Sequence, residues 1–388
     1  MADKKIVDLN KIRNKKIAKK ILNLLKIPLL VFVVVAAVFL SARMLGNVAV
    51  SNVTDSLRFM GEAFRKGGGY PYSVDISRLK EVTSIGSSPL LIYGDESVVL
   101  NSSANEVFSL KLNSADSKVI SRNGRALIYS NSSNNLVLQS RTEELGSVTE
   151  NGAVVSAALA KNGYFATSHS TDEAQSVLTV YNNRFNSVFQ WNCSQERIAD
   201  ISLSSNGKKV AVVAVGAENA EIYTRIIVFN TNSKEIITDL KYSGTLFLKI
   251  SFTSSNRIIA VGDNRTVVIK SNGEAMDEMV YPEDSLSAVC VDDNGNTVVF
   301  YEEFGGAKTG MVRFSSSGKK TCSETLDGIP DCVTAYGGKI AVLNSSEITV
   351  YSLTGKATRT FETESHPSDI FGCSGEIYTV EGGAVCKY

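Results

Sequence analysis

Residues 199 to 216 read ADISLSSNGKKVAVVAVG and place Gly207, Lys208 and Lys209 between two apolar stretches, the raw material of a phosphate-binding loop. Such a loop needs G-x-x-x-x-G-K-[ST], so that backbone amides cradle the phosphate and the hydroxyl holds magnesium. Here Ser202 stands five positions before Gly207, and Lys209 follows Lys208 where Ser or Thr is required. The downstream VAVVAV is β-branched and reads as a strand, so no helix N-terminus faces an anion. The stretch is a hairpin corner.

A calcium loop is suggested by VDDNGNTVVFYEE, with Asp292, Asn294, Asn296 and Glu303 at positions 1, 3, 5 and 12. Position 6 needs glycine for its sharp turn and holds Thr297, so no metal site is expected there. Six cysteines (Cys193, Cys290, Cys322, Cys332, Cys373, Cys386) form no C-x-x-C pair, and His169 and His366 are the only imidazoles. Zinc is not expected, and the cysteines read as mostly buried free thiols. Trp191 is the single tryptophan, too few for a cofactor dock repeated in each unit of a quinone enzyme, and it reads as packing. No cofactor is expected. No G-x-S-x-G elbow is present, and neither histidine has a nucleophile at fixed spacing.

Carboxylates remain. The doublets Glu143-Glu144, Asp292-Asp293 and Glu302-Glu303 put neighbours on opposite faces of a strand and read as solvated turn charges. Asp200, Asp331 and Asp369 each open an apolar run (ADI, PDC, SDI), where they could share a rim or bond nearby backbone amides. Three long connections gather further candidates: SHSTDEAQS (168–176), GAENAEIYT (216–224) and EEFGGAKTG (302–310). They carry His169, Asp172, Glu173, Glu218, Glu221, Tyr223, Glu302, Glu303 and Phe304 as candidate ligand-binding residues.

The elements that position these residues are repeats. An apolar segment, a small polar corner and a second apolar run recur at SIGSSPLLIY, ISRNGRALIY, LAKNGYFAT, LSSNGKKVAVV, FTSSNRIIAV, VDDNGNTVVF, AYGGKIAVL and FGCSGEIYTV. Corner markers fall at Ser88, Gly124, Gly163, Gly207, Asn256, Gly295, Gly338 and Gly375, with intervals of 36 to 49 residues. Repeats of about 40–45 residues with four strands each (A to D outward from the centre) indicate a β-propeller. The last unit holds three strands, and YPYSVDI ahead of the first supplies the fourth. The expected fold is therefore all-β, an eight-bladed propeller over 70–388 closed by pairing of the N- and C-terminal strands. Seven blades are the alternative. Segments such as IIVFNTNSKEIITDL resemble YVTN and quinoprotein-like propellers. The whole plan resembles the bacterial membrane-anchored propellers of domain of unknown function 5711, a resemblance that implies a fold and no activity.

Forty Lys/Arg balance forty Asp/Glu, but residues 1–26 carry nine basic against two acidic, leaving the rest net acidic. Nucleic acid, which needs a clustered basic face, is not an expected partner. The basic segment leads into IPLLVFVVVAAVFLSA, residues 27–42, without a charge. This reads as a single transmembrane helix (27–45) with the N-terminus inside and the C-terminal body extracytoplasmic, on a bacterial cell membrane. Residues 46–69 follow as an amphipathic stalk helix with a stripe of Val50, Val53, Leu57, Met60 and Phe64, ending in Gly67–Gly69 as a flexible joint. In a four-stranded blade the B–C and D–A connections share one end, so the long loops would build a binding surface there. The expectation is a non-enzymatic module for an envelope protein, peptide or glycan. The alternative is a propeller hydrolase or lyase with acidic residues at the channel mouth.

Overall fold

The computed structural model describes Val33 and residues 47–63, 65–303, 305 and 307–388. The basic segment and nearly all of the expected membrane span lie outside these residues. No helix among the described residues is long and apolar enough to cross a membrane. Residues 1–54 and 55–388 form separate units, and the propeller belongs to the second.

Eight four-stranded antiparallel sheets follow one another along the chain. Blades 1 to 7 span residues 79–111, 117–149, 154–193, 197–243, 247–280, 286–327 and 332–362. Blade 8 takes its A, B and C strands from 369–387 and its D strand from Tyr72–Ser73, which pairs with Val385 and Ala384. The eightfold reading holds.

Most B strands are short, nearly unbroken apolar runs, because neighbouring blades cover both of their faces, and Phe165–His169 of blade 3 is the polar exception. In blade 4, Val210 to Ala214 are all fully buried. Outer D strands are exposed by contrast, as in Ala275–Val280, where nearly every residue faces solvent. The core is accordingly divided into eight apolar clusters, one per interface between blades. The seam between blades 8 and 1 is packed like the others, with Leu91 and Leu100 against Phe371 and Tyr378. Trp191 packs on Phe229 between blades 3 and 4, its rings 4.9 Å apart.

The corner markers mostly fall on A–B turns, and Gly207 has φ +67°. In blade 1 the turn glycine is Gly86 (φ +61°), while Ser88 is already the first strand residue. All six cysteines are free, and Cys193, Cys322 and Cys373 are buried.

The helix Asn47–Ala63 occupies the expected stalk. From Asp55 onward it lies on the A–B/C–D end of blades 1 and 2. Asp55 is 4% exposed and bonds Arg141 at 2.8 Å and the Thr142 hydroxyl at 3.0 Å. The Arg141 guanidinium stacks on the Phe59 ring at 4.1 Å, and Arg58 pairs with Glu143. Asn101 Nδ2 donates to the Glu62 and Arg65 carbonyls, groups that a helix end leaves without partners. The docking face is polar, leaving Leu57 and Met60 of the stripe exposed, and Phe64 lies outside the described residues. One expectation is corrected. Gly67–Gly69 is not a free joint, because Gly69 N–H bonds Ser103 O and a Cβ on Gly67 would stand 2.2 Å from that oxygen.

Candidate functional site

At the B–C/D–A end the structure groups some sequence-derived candidates and separates others. His169 ends blade 3 strand B (Phe165–His169), and Asp172 and Glu173 sit in the connection after it. All three line a cleft of about 710 Å³ between blades 2 and 3. Its floor is Glu150, from the D–A connection between these blades, which the sequence did not distinguish from other turn acids. Glu150 is 7% exposed, and its Oε1 accepts the hydroxyls of Thr167 at 2.5 Å and Tyr181 at 2.9 Å. Its Oε2 lies 3.5 Å from His169 Nδ1, beyond ordinary hydrogen-bond length. That nitrogen is buried and makes no hydrogen bond. Gln190, Asn192 and Thr149 complete a largely polar wall.

Glu218, Glu221 and Tyr223 belong to blade 4, and here the loop expected over 216–224 is corrected. Strands Lys209–Glu218 and Glu221–Asn230 stay paired to the end and turn on Asn219-Ala220, both with positive φ. The corner has the left-handed geometry of a two-residue hairpin, supplied without glycine. Lys241 supports the projecting arm by pairing with Glu218 and lying 3.9 Å over the Tyr223 ring. At its base Glu196 accepts the Tyr223 hydroxyl, the Cys193 thiol and Arg225 Nη1, the last at 2.7 Å. Arg225 also forks onto Asp239. These contacts hold Glu196 below the usual carboxylate range, opposed by its burial, the largest influence on it.

The third group stays apart, in blade 6. Glu302 ends strand B (Thr297–Glu302), and Glu303 accepts the Thr325 hydroxyl at 2.9 Å. Phe304 lies outside the described residues.

Around the channel mouth, A strands of five blades carry a bulge near their start, a device that re-aims side chains. Asp200 follows such a bulge in blade 4, and its carboxylate accepts Ile250 N–H of blade 5 at 2.8 Å, with Lys249 at 3.3 Å. Glu81 takes the same place in blade 1 and accepts Val119 N–H of blade 2 at 3.0 Å. Asp369 opens the unbulged A strand of blade 8 and accepts the N–H of its neighbour Ile370. Asp331 stands just before its strand, is exposed, and accepts Ser345 N–H. All three aspartates thus bond backbone amides, and Glu81, opening an unremarkable KEV segment, was missed.

Burial pushes Glu81 up to about 7, helped by the nearby Asp369 charge and opposed by Val119 N–H and Lys118. Burial likewise raises Asp369 to about 6, and it raises Asp200 against the pull of Lys249. The other channel end is crossed by the blade 6 corner, where Arg122 donates to Asp293 O at 3.4 Å and Lys161 to Asn294 Oδ1 at 2.8 Å. Among the described residues no group of three or more His, Cys, Asp or Glu could hold a metal ion.

No curated protein matches the sequence. By structure the chain is similar to Sqt1 of Saccharomyces cerevisiae (TM-score 0.56, 9% identity, 82% of this chain and 97% of that one). It is also similar to the C-terminal WD40 domain of Sif2 (TM-score 0.57, 12% identity, 82% and 95%). A further similar structure is BamB from Moraxella catarrhalis (TM-score 0.49, 10% identity, 79% and 95%). At such identities the likeness is one of fold. The model of a family of unknown function, DUF5711, matches residues 70–384, and the chain belongs to that family.

Proposed function

We propose that this chain is a single-pass, membrane-anchored propeller of the bacterial envelope whose extracytoplasmic B–C/D–A end docks a protein or peptide. One observation carries the docking reading. Among the described residues eight large apolar side chains of the propeller are exposed, and six of them lie at this end: Ile76, Val155, Ile222, Leu248, Val280 and Ile329. Val155 and Leu248 are bulge residues of inner strands, and Ile222 rides the blade 4 arm. Exposed apolar groups concentrated on one side of a rigid scaffold, rimmed by charge, mark interaction surfaces. The opposite end is partly covered by the helix. The anchor rests on the uncharged run at 27–42 and the basic residues before it.

The test is photo-crosslinking in intact membranes with a benzophenone side chain at Ile222, Leu248 or Ile236. Discrete adducts are expected at the first two and not at Ile236, which starts an outer strand. Equal labelling at all three positions, or none, overturns the docking reading. Digestion of the propeller by protease added outside spheroplasts checks the orientation.

A second reading, a channel-mouth hydrolase or lyase, is favoured by the juxtaposition of Glu81 and Asp369 from two blades, with the aspartate raising the glutamate. Paired acids with separated titrations suit acid–base chemistry. That reading requires Glu81→Gln to abolish an activity while leaving the crosslinks of Ile222 unchanged.

A further inference from the structure

The Glu150 cleft has a charge pattern that identifies an occupant. Three carboxylates line it, Glu150, Asp172 and Glu173, and no lysine or arginine is among the described residues that do. Elsewhere at the same end the protein supplies its own cation, since buried Glu196 is met by Arg225 at 2.7 Å. Glu381, the other buried glutamate bonded to a tyrosine, is closed by four donors: the Ser365 amide and hydroxyl, Thr379 and Tyr388. Glu150 receives two hydroxyls on one oxygen only. Its second oxygen accepts no such bond and lies 3.5 Å from the unbonded Nδ1 of His169, itself 3% exposed.

A buried carboxylate without a cation is costly unless one arrives. A group with several N–H donors can give one to Glu150 Oε2 and, with the imidazole proton on Nε2, another to His169 Nδ1, while Asp172 and Glu173 attract it from the rim. An ammonium on a flexible stem fits this best, because its three donors rotate freely and its methylenes can lie along Val177. We propose that the cleft between blades 2 and 3 binds a protonated primary amine, the side chain of a lysine on the docked partner. The proposal rests on the docking reading for its choice of partner and not for the chemistry of the cleft.

The probe is Nα-acetyl-lysine amide, with Nα-acetyl-norleucine amide as its uncharged counterpart, titrated while the histidine ring protons are followed by NMR. With only two histidines in the chain, exposed His366 is an internal control. The expected result is a saturable shift of His169 with the lysine probe alone, His366 being unmoved. Glu150→Gln keeps the shape and should weaken binding about tenfold or more, the usual cost of losing a charge-assisted hydrogen bond. Because Thr167 and Tyr181 lean on Glu150, the loop variant Asp172→Asn/Glu173→Gln serves as a second measure and should bind severalfold more weakly. Equal shifts with both probes, parallel movement of His366, or unchanged affinity in the loop variant overturns the proposal. Crosslinks at Ile222 with a silent His169 would reject the amine site and leave the docking surface. The reverse result would do the opposite.

Discussion

At the residue scale, Gly207 shows what the corner of ADISLSSNGKKVAVVAVG does. Its φ of +67° is costly for a residue with a side chain, and a Cβ there would stand 2.4 Å from the Tyr164 ring of the preceding blade. The glycine serves both the turn and the seam, with Tyr164 packed over it against the blade 3/4 core. Gly124 is the natural control, with φ +73° and nothing within 4 Å of an added Cβ. Gly124→Ala should cost about 1 kcal/mol, the left-handed penalty alone. Gly207→Ala adds a clash with a packed ring and should cost roughly 2–4 kcal/mol. Urea unfolding of the two variants separates these effects, and equal costs would show that Tyr164 moves aside freely. Lys208 and Lys209 play no phosphate role in this arrangement, and Lys209 instead donates to Ser271 O of blade 5 at 2.8 Å.

At the scale of elements, the two-residue strand Tyr72–Ser73 closes the ring with help from its flanks. Val74 N–H bonds Gly383 O, and Tyr70 packs edge-on against Tyr378 at 5.1 Å while its hydroxyl reaches Asn101 O. A chain beginning at Gly67 keeps all of this; one beginning at Asp75 exposes the edge Ala384–Lys387. Open edges invite association. The shorter chain should therefore melt several degrees lower and elute partly as oligomers in size-exclusion chromatography, and identical behaviour of the two would refute the closure argument. Repeat spacing and terminal pairing were legible because burial on both faces imposes continuous apolar B strands at a fixed interval. What escaped was set by contacts between repeats. The arm at 216–224 looked like a loop because its corner holds Asn219-Ala220 rather than glycine and its strands are polar beyond the blade. The helix was read from its apolar stripe, yet Asp55, Phe59 and backbone carbonyls dock it. Glu150 lies 19 positions before His169, in a connection with no motif, and only the fold makes them neighbours.

At the scale of the whole molecule, closing eight blades brings together carboxylates that are far apart in sequence. Glu81 and Asp369 meet across the seam between the first and last blades, so their behaviour reports on the intact ring. Both are acids raised on folding, to about 7 and about 6, chiefly by burial. Between about pH 4 and 7 the folded state therefore binds more protons than the unfolded chain, and stability falls as pH rises. The acids held low, including Glu196 and Glu381, retain their contribution at pH 5 and lose it only as pH drops through their folded values. The protein should consequently be more stable at pH 5 than at pH 7.5, by on the order of 3 kcal/mol from the two raised acids together. Glu81→Gln/Asp369→Asn removes both titrations and should flatten the profile, raising stability at pH 7.5 towards that of the wild type at pH 5. Melting temperatures of both proteins across this range decide the matter. A wild-type profile that rises from pH 5 to 7.5, or a variant that keeps the wild-type slope, would mean that the seam does not hold these two carboxylates away from water.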